Sequence, residues 1–153
     1  MERIKLDEAL NQILDESVKK LEAQNAPDKI LEGVEEIIRG DRARPQPSTP
    51  ALFVYCDAAR NAHERRAMHE TWVLPLVIVA VVKDDEPEDG YKNATALAAK
   101  ARSVILEDRR LNKLNFVQDL YSDRFEASAP WLREGQVFYS LAIVNVVFTI
   151  LEI

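Results

Sequence analysis

Cysteine is all but missing from this chain. Cys56 is the single thiol among 153 residues, which excludes an intramolecular disulfide framework and any CxxC redox or zinc site. Glycine is scarce too. Gly33, Gly40, Gly90 and Gly135 lie too far apart to build a Walker loop or a GxGxxG turn, because both phosphate cradles need clustered glycines. Basic charge is in deficit, with 20 Lys and Arg against 26 Asp and Glu and a net charge of −6, which argues against a general nucleic-acid coat. The one long apolar run, 137–153, falls short of the roughly 20 residues of a spanning helix. Ser140, Asn145 and Thr149 interrupt it, and its Val, Ile and Phe content favours a strand. The opening Met1-Glu2-Arg3-Ile4-Lys5-Leu6-Asp7-Glu8 has no apolar core of a signal peptide. A soluble, intracellularly made protein without a membrane partner is therefore expected.

What is present suits one globular unit. Hydrophobic residues make up 47% and charged residues 30%, which excludes disordered, collagen-like and low-complexity classes. The length fits a single domain, 1–153. A chain of 17.4 kDa can bury about 69% of its unfolded surface, enough for a real core. Charge is unevenly spread. Residues 1–38 hold ten acids and five bases, net −5. Residues 39–66 hold six arginines against three acids, net +3, and residues 67–153 return to net −4. Such zones either bind an oppositely charged face, another copy included, or are merely solvated.

Leu6, Leu10, Ile13, Leu14, Ser17, Val18 and Leu21 recur at three- and four-residue steps, which predicts a first helix ending near Gln24-Asn25. Asn25 as cap, Pro27 in the first turn and the stripe Ile30, Val34, Ile37, Ile38 predict a second helix stopped by Gly40. Residues 1–40 thus read as a helical N-terminal segment. In 41–50, Pro45, Pro47 and Pro50 leave only a Pro-rich extended connector. Residues 52–56 read as a short strand, and 57–67, polar, basic and aperiodic, as a loop. The run 72–82 is apolar on both faces: Trp72, Leu74, Leu76, Ile78, Ala80 and Val82 on one, Val73, Val77, Val79 and Val81 on the other. Residues 141–153 repeat this pattern. A strand with one wet face alternates, so both faces of these two must be covered. Between them lie an acidic turn at 84–90, a helix over 91–107 with stripe Ala94, Leu97, Ala98, Ala101, Val104, Ile105, and a strand over 114–121. Residues 122–134 read as a long connection. The order α-α-β-β-α-β-β predicts an α+β fold: helices packed on one face of a mostly antiparallel sheet. The second apolar face is then left without cover from its own chain, and another subunit would supply it.

No catalytic constellation emerges, and no enzyme is expected. His63-Glu64 and His69-Glu70 lie six residues apart, about 240° around a helix, whereas HExxH needs one turn. The acids Asp84, Asp85, Glu86, Glu88 and Asp89 lack EF-hand spacing, and Cys56 sits in an apolar run as a small hydrophobe. Asp119, Asp123 and Glu126 are pairs that any acidic protein offers by chance. Arg60, Arg65, Arg66 and the group Arg109, Arg110, Lys113 could meet phosphate, or face solvent or a subunit. Phe125 and Trp131, aromatics in a polar stretch, are the better interaction signal, or they fold back over the core.

In this order of parts the chain resembles the tail terminator (tail completion) proteins of long-tailed bacteriophages. The matching parts are a leading helical segment, the Gly40-to-Pro50 connector, the short strand at 51–56 and the apolar strand at 72–82. The acidic turn, the Ala/Leu helix at 94–106, the strand near Phe116-Val117 and the final strand at 137–153 complete it. No signature motif is involved, and 57–67 and 122–134 have no fixed counterpart. The resemblance implies a virion protein at the head-proximal end of the tail, a homo-oligomeric ring, typically a hexamer. The ring would cap the major tail tube protein, stop its polymerisation and meet head or neck connector proteins, with DNA only as passing cargo. It implies no cofactor and no catalytic residues. Arg60, Arg65, Arg66, Tyr121, Arg124, Phe125 and Trp131 are the candidates for tube or neighbour contact. A head–tail connector of similar fold, a small α+β ligand-binding domain and a hydrolase are the alternatives.

Overall fold

The computed structural model describes residues 4–40, 48–66, 69–111, 114–127 and 137–151, with backbone alone at 63–66 and 151. The predicted first stripe forms helix α1, Leu6–Ala23, with Ala9, Ile13, Ser17, Val18 and Leu21 buried. Asp7 and Glu8 stand in its first turn and Lys20 in its last, the polarity that the helix dipole favours. The buried hydroxyl of Ser17 donates to the Ile13 carbonyl at 2.7 Å, so its burial leaves no unmet donor.

The second predicted helix does not form. Asp28 has φ 65° and Gly33 φ 90°, left-handed positions that a right-handed helix cannot contain. Residues 24–34 turn instead. The side chain of Asn25, expected as a cap, donates to the Val34 carbonyl at 2.8 Å across the loop, while Leu31 and Val34 sink into the core. Glu36–Arg39 then forms strand β1, parallel to β2, Ala51–Cys56. Ile37 packs with the helices and Ile38 on the other side of the sheet, which is the alternation of a strand. Of the Pro-rich connector, 41–47 lie outside the described residues.

Residues expected as a loop at 57–67 contain strand β3, Arg60–Arg66, antiparallel to the start of β4, His69–Lys83. β3 has no apolar periodicity in its sequence, Arg-Asn-Ala-His-Glu-Arg-Arg, and its antiparallel pairing with β4 defines it. Helix α2, Pro87–Leu106, starts four residues before the predicted 91. Pro87 at the helix start and Glu88 and Asp89 behind it suit an N-terminus, so half of the acidic turn is helix. Asp84 holds the entry, accepting from the Glu86 amide at 3.1 Å and from the Asn93 side chain at 3.3 Å. β5, Val117–Ala127, runs on past the predicted 121, and β6, Val137–Leu151, closes the sheet.

The strand order is β1-β2-β4-β6-β5, with β3 beside β4 beyond the end of β2. Among the described strands only β1 and β2 pair in parallel, so the α+β class with a mostly antiparallel sheet holds. β4 and β6 pair over all fifteen residues, from His69 opposite Leu151 to Lys83 opposite Val137, a ribbon about 50 Å long at 3.3 Å per residue.

Both helices pack on one face. Ile13, Val18 and Leu21 of α1 and Ala94, Ala98, Ala101 and Ile105 of α2 share a cluster with Leu74, Leu76, Ile78, Val144, Val146 and Phe148. Phe116 meets Phe148 edge-on at 6.2 Å between ring centres, a favoured aromatic geometry. The opposite face carries Phe53, Val77, Val79 and Val81, rimmed by half-buried Ile38, Tyr55, Val137, Tyr139, Leu141 and Ile143. The expectation of a bare second face is corrected here. Those four central residues are at most 6% exposed in the single chain, although no described helix residue belongs to their cluster. Only the rim remains half open.

Candidate functional site

Two edge strands of the sheet, β3 and β5, carry the described residues singled out above, and they carry them apart. Arg60 begins β3, exposed and level with Val73 of β4. Arg65 and Arg66 end it, opposite Glu70 and His69. Val73 pairs with Val147, and Val147 with Asp119 of β5. Arg60 and Asp119 therefore stand on opposite edges of one row, three strand spacings or about 14 Å apart. The arginines of β3 and the aromatics of β5 do not form one site. Trp131 lies outside the described residues.

β5 is an edge built around an irregularity. Its register slips between Tyr121, opposite Asn145, and Arg124, opposite Ile143. An extra residue on an edge strand turns side chains to new directions. Two hydrogen bonds fix the slip. Ser122 Oγ donates to the Ile143 carbonyl at 2.8 Å, and Asn145 Nδ2 donates to Asp123 Oδ1 at 2.8 Å. Beyond it, Phe125 stands opposite Ala142 on the helix side, while Arg124 and Glu126 share the other side. The Arg124 guanidinium holds Glu126 Oε1 at 2.6 Å through Nη2 and 2.8 Å through Nε. Phe125 and Tyr121 are 40% and 39% exposed, so Phe125 does not fold back over the core. A trough of about 480 Å³ runs beside Phe125, lined by Thr95, Ala99 and Arg102 of α2 and by 122–125 of β5.

The other suggestive residues resolve as follows. Cys56 is half-buried, and burial pushes its thiol from the ordinary 9.0 up to about 11 against the opposing pull of Arg39. A thiol kept protonated is a poor nucleophile. Asp123 and Glu126 are held by Asn145 and Arg124. Among the described residues, His69 Nδ1 and Lys20 Nζ are buried without a hydrogen-bond partner, though Lys20 lies 3.8 Å from Asp108. Among the described residues no three His, Cys, Asp or Glu side chains gather as a metal site, and no helix is long and apolar enough to cross a membrane.

Sequence reasoning overlooked Asn145, Thr95 and Arg102. Asn145 was visible as a polar interruption of an apolar strand. Its partner Asp123 lies 22 residues away and gave no signal. No protein-family model matches the chain, and no curated protein matches it.

Proposed function

We propose that this chain works as a tail-terminator-type ring of a long-tailed bacteriophage. Copies, typically six, sit on the last ring of the tail tube, end its growth and offer the head a joining surface. The ring acts by contact, with no catalytic step and no cofactor. The observation that carries the proposal is the unlike charge of the two sheet edges. β3 holds Arg60, Arg65 and Arg66 against one acid, Glu64; β5 holds Asp119, Asp123 and Glu126 against one base, Arg124. A ring joins a patch to a different patch on the next copy, and opposite charge favours and orients such a joint. The run of parts from α1 through the long ribbon to β6 adds support, as does the half-open apolar rim.

The experiment is negative-stain imaging of the purified chain, alone and with tail tubes. Rings of fixed size seated at one tube end, together with tubes that no longer lengthen, are expected. Tubes that bear no added density and keep growing would overturn the proposal.

A further inference from the structure

We infer that the free chain pairs with a second copy of itself through β5, antiparallel and two-fold about Phe125. The inference does not rest on the ring proposal. Among the described residues β5 is outermost in the sheet and pairs with β6 alone, which leaves its other row of backbone groups to face another strand. The charges on that edge are arranged in a particular way. Arg124 and Glu126 flank Phe125 on one side of the sheet, with opposite signs at equal spacing. A two-fold axis through Phe125 sets Arg124 of one copy opposite Glu126 of the other, twice.

The other side fits the same axis. Phe125 points to the helix side, so the two rings stand directly opposite one another, a cross-strand arrangement that favours aromatic pairs. Each ring is exposed and borders the trough beneath Thr95, Ala99 and Arg102. Pairing would cover both rings and both troughs. The slip at Tyr121 and Arg124 leaves 124–127 in regular register with β6, and this is the stretch the axis uses. Charge on an edge usually repels foreign strands. Charge that is antisymmetric about one residue rejects a shifted register and admits the chain's own copy. A two-fold pair closes on itself, and it occupies the acidic edge that a ring would need.

The test uses the full chain in solution, without tubes, by light scattering and sedimentation over a range of concentrations. Wild type is expected to reach twice the 17.4 kDa chain mass. R124E and E126R each set like charges opposite one another twice, and each is expected to weaken pairing about tenfold or more. The double variant R124E/E126R restores the pair. The sharpest outcome is a mixture. R124E carries two acids and E126R two bases, so the two together form a mixed pair that neither forms alone. Damage within one chain could not produce that result. F125A, which leaves the charges in place, weakens pairing as well. A wild type that stays monomeric at its highest soluble concentration would overturn the inference. So would a mixture no more associated than its components, or a larger ring indifferent to these changes. Thermal unfolding of each variant shows whether it is folded, and amide exchange at 123–127, slower at high concentration in wild type, checks the pairing without any substitution.

Discussion

At Gly90 a single methyl group decides the packing of α2. A Cβ built there would overlap the Phe138 ring, which is itself fully buried. In an exposed helix, alanine for glycine gains about 1 kcal/mol. Here the sign reverses, and Gly90→Ala is expected to lose about 1–3 kcal/mol by overpacking, read as a lower denaturation midpoint. Cys56 carries a second prediction. Its folded thiol titrates at about 11 instead of 9.0, so the folded chain holds this proton more tightly than the unfolded one. The associated stability is complete below the unfolded value of 9.0 and is lost as pH rises toward about 11. Urea midpoints measured across that window should fall in wild type more steeply than in Cys56→Ala. Alkylation of the native chain should likewise stay slow until the pH approaches the upper value. Polar residues show how far a single position can be interpreted from sequence. Ser140, Asn145 and Thr149 stood out as interruptions, and each proves buried. Ser140 lies 3.2 Å from the Thr95 hydroxyl, Asn145 holds Asp123, and Thr149 lies 3.3 Å from the Thr71 hydroxyl. The interruptions could be seen in the sequence; their partners, 22 to 78 residues distant, could not.

Elements with a packed stripe were legible, and those shaped by backbone were not. α1, α2, β4 and β6 bury or half-bury the residues that their periodicity marked, with Leu6, Leu10, Leu14, Trp72, Leu141 and Ile143 among the half-buried, and the two faces of the β4–β6 ribbon divide as the alternation predicted. Ile30, Val34, Ile37 and Ile38 mimic a helical stripe by accident of spacing. Positive φ at Asp28 and Gly33 breaks that helix, and Ile30 ends 44% exposed. β3 had no apolar pattern to find, and among the described residues it pairs with β4 alone. That difference is measurable by hydrogen exchange. Amides at 76–81 of β4 sit between β2 and β6 over a buried cluster, and they should exchange only when the whole chain unfolds. Amides of β3 should exchange orders of magnitude faster, through local opening that leaves the ribbon intact. Equal protection in the two strands would mean that β3 is held by more than its ladder with β4.

On the scale of the molecule, the buried centre of the second face moves the drive for the proposed assembly outward. Val77, Val79 and Val81 need no companion to leave water, so an open apolar face, the feature the sequence pointed to, is reduced to a rim. What remains unlike from one side of the molecule to the other is charge, basic along β3 and acidic along β5. An assembly held by such edges has a different salt response from one held by grease. Exposed charges farther apart than a Debye length are screened, and that length falls from about 10 Å at 0.1 M salt to about 3 Å at 1 M, whereas apolar contact survives or strengthens. The proposed ring formation and tube docking are therefore expected to weaken as salt rises. Reversing Arg65 and Arg66 to glutamate should weaken both already at low salt and flatten the remaining dependence, and thermal unfolding of the variant shows that it is still folded. Light scattering and electron microscopy of R65E/R66E with tail tubes, at low and high salt, decide the matter. Assembly as tight as wild type under both conditions would move the joint off the β3 edge and onto the apolar rim around Tyr139 and Leu141.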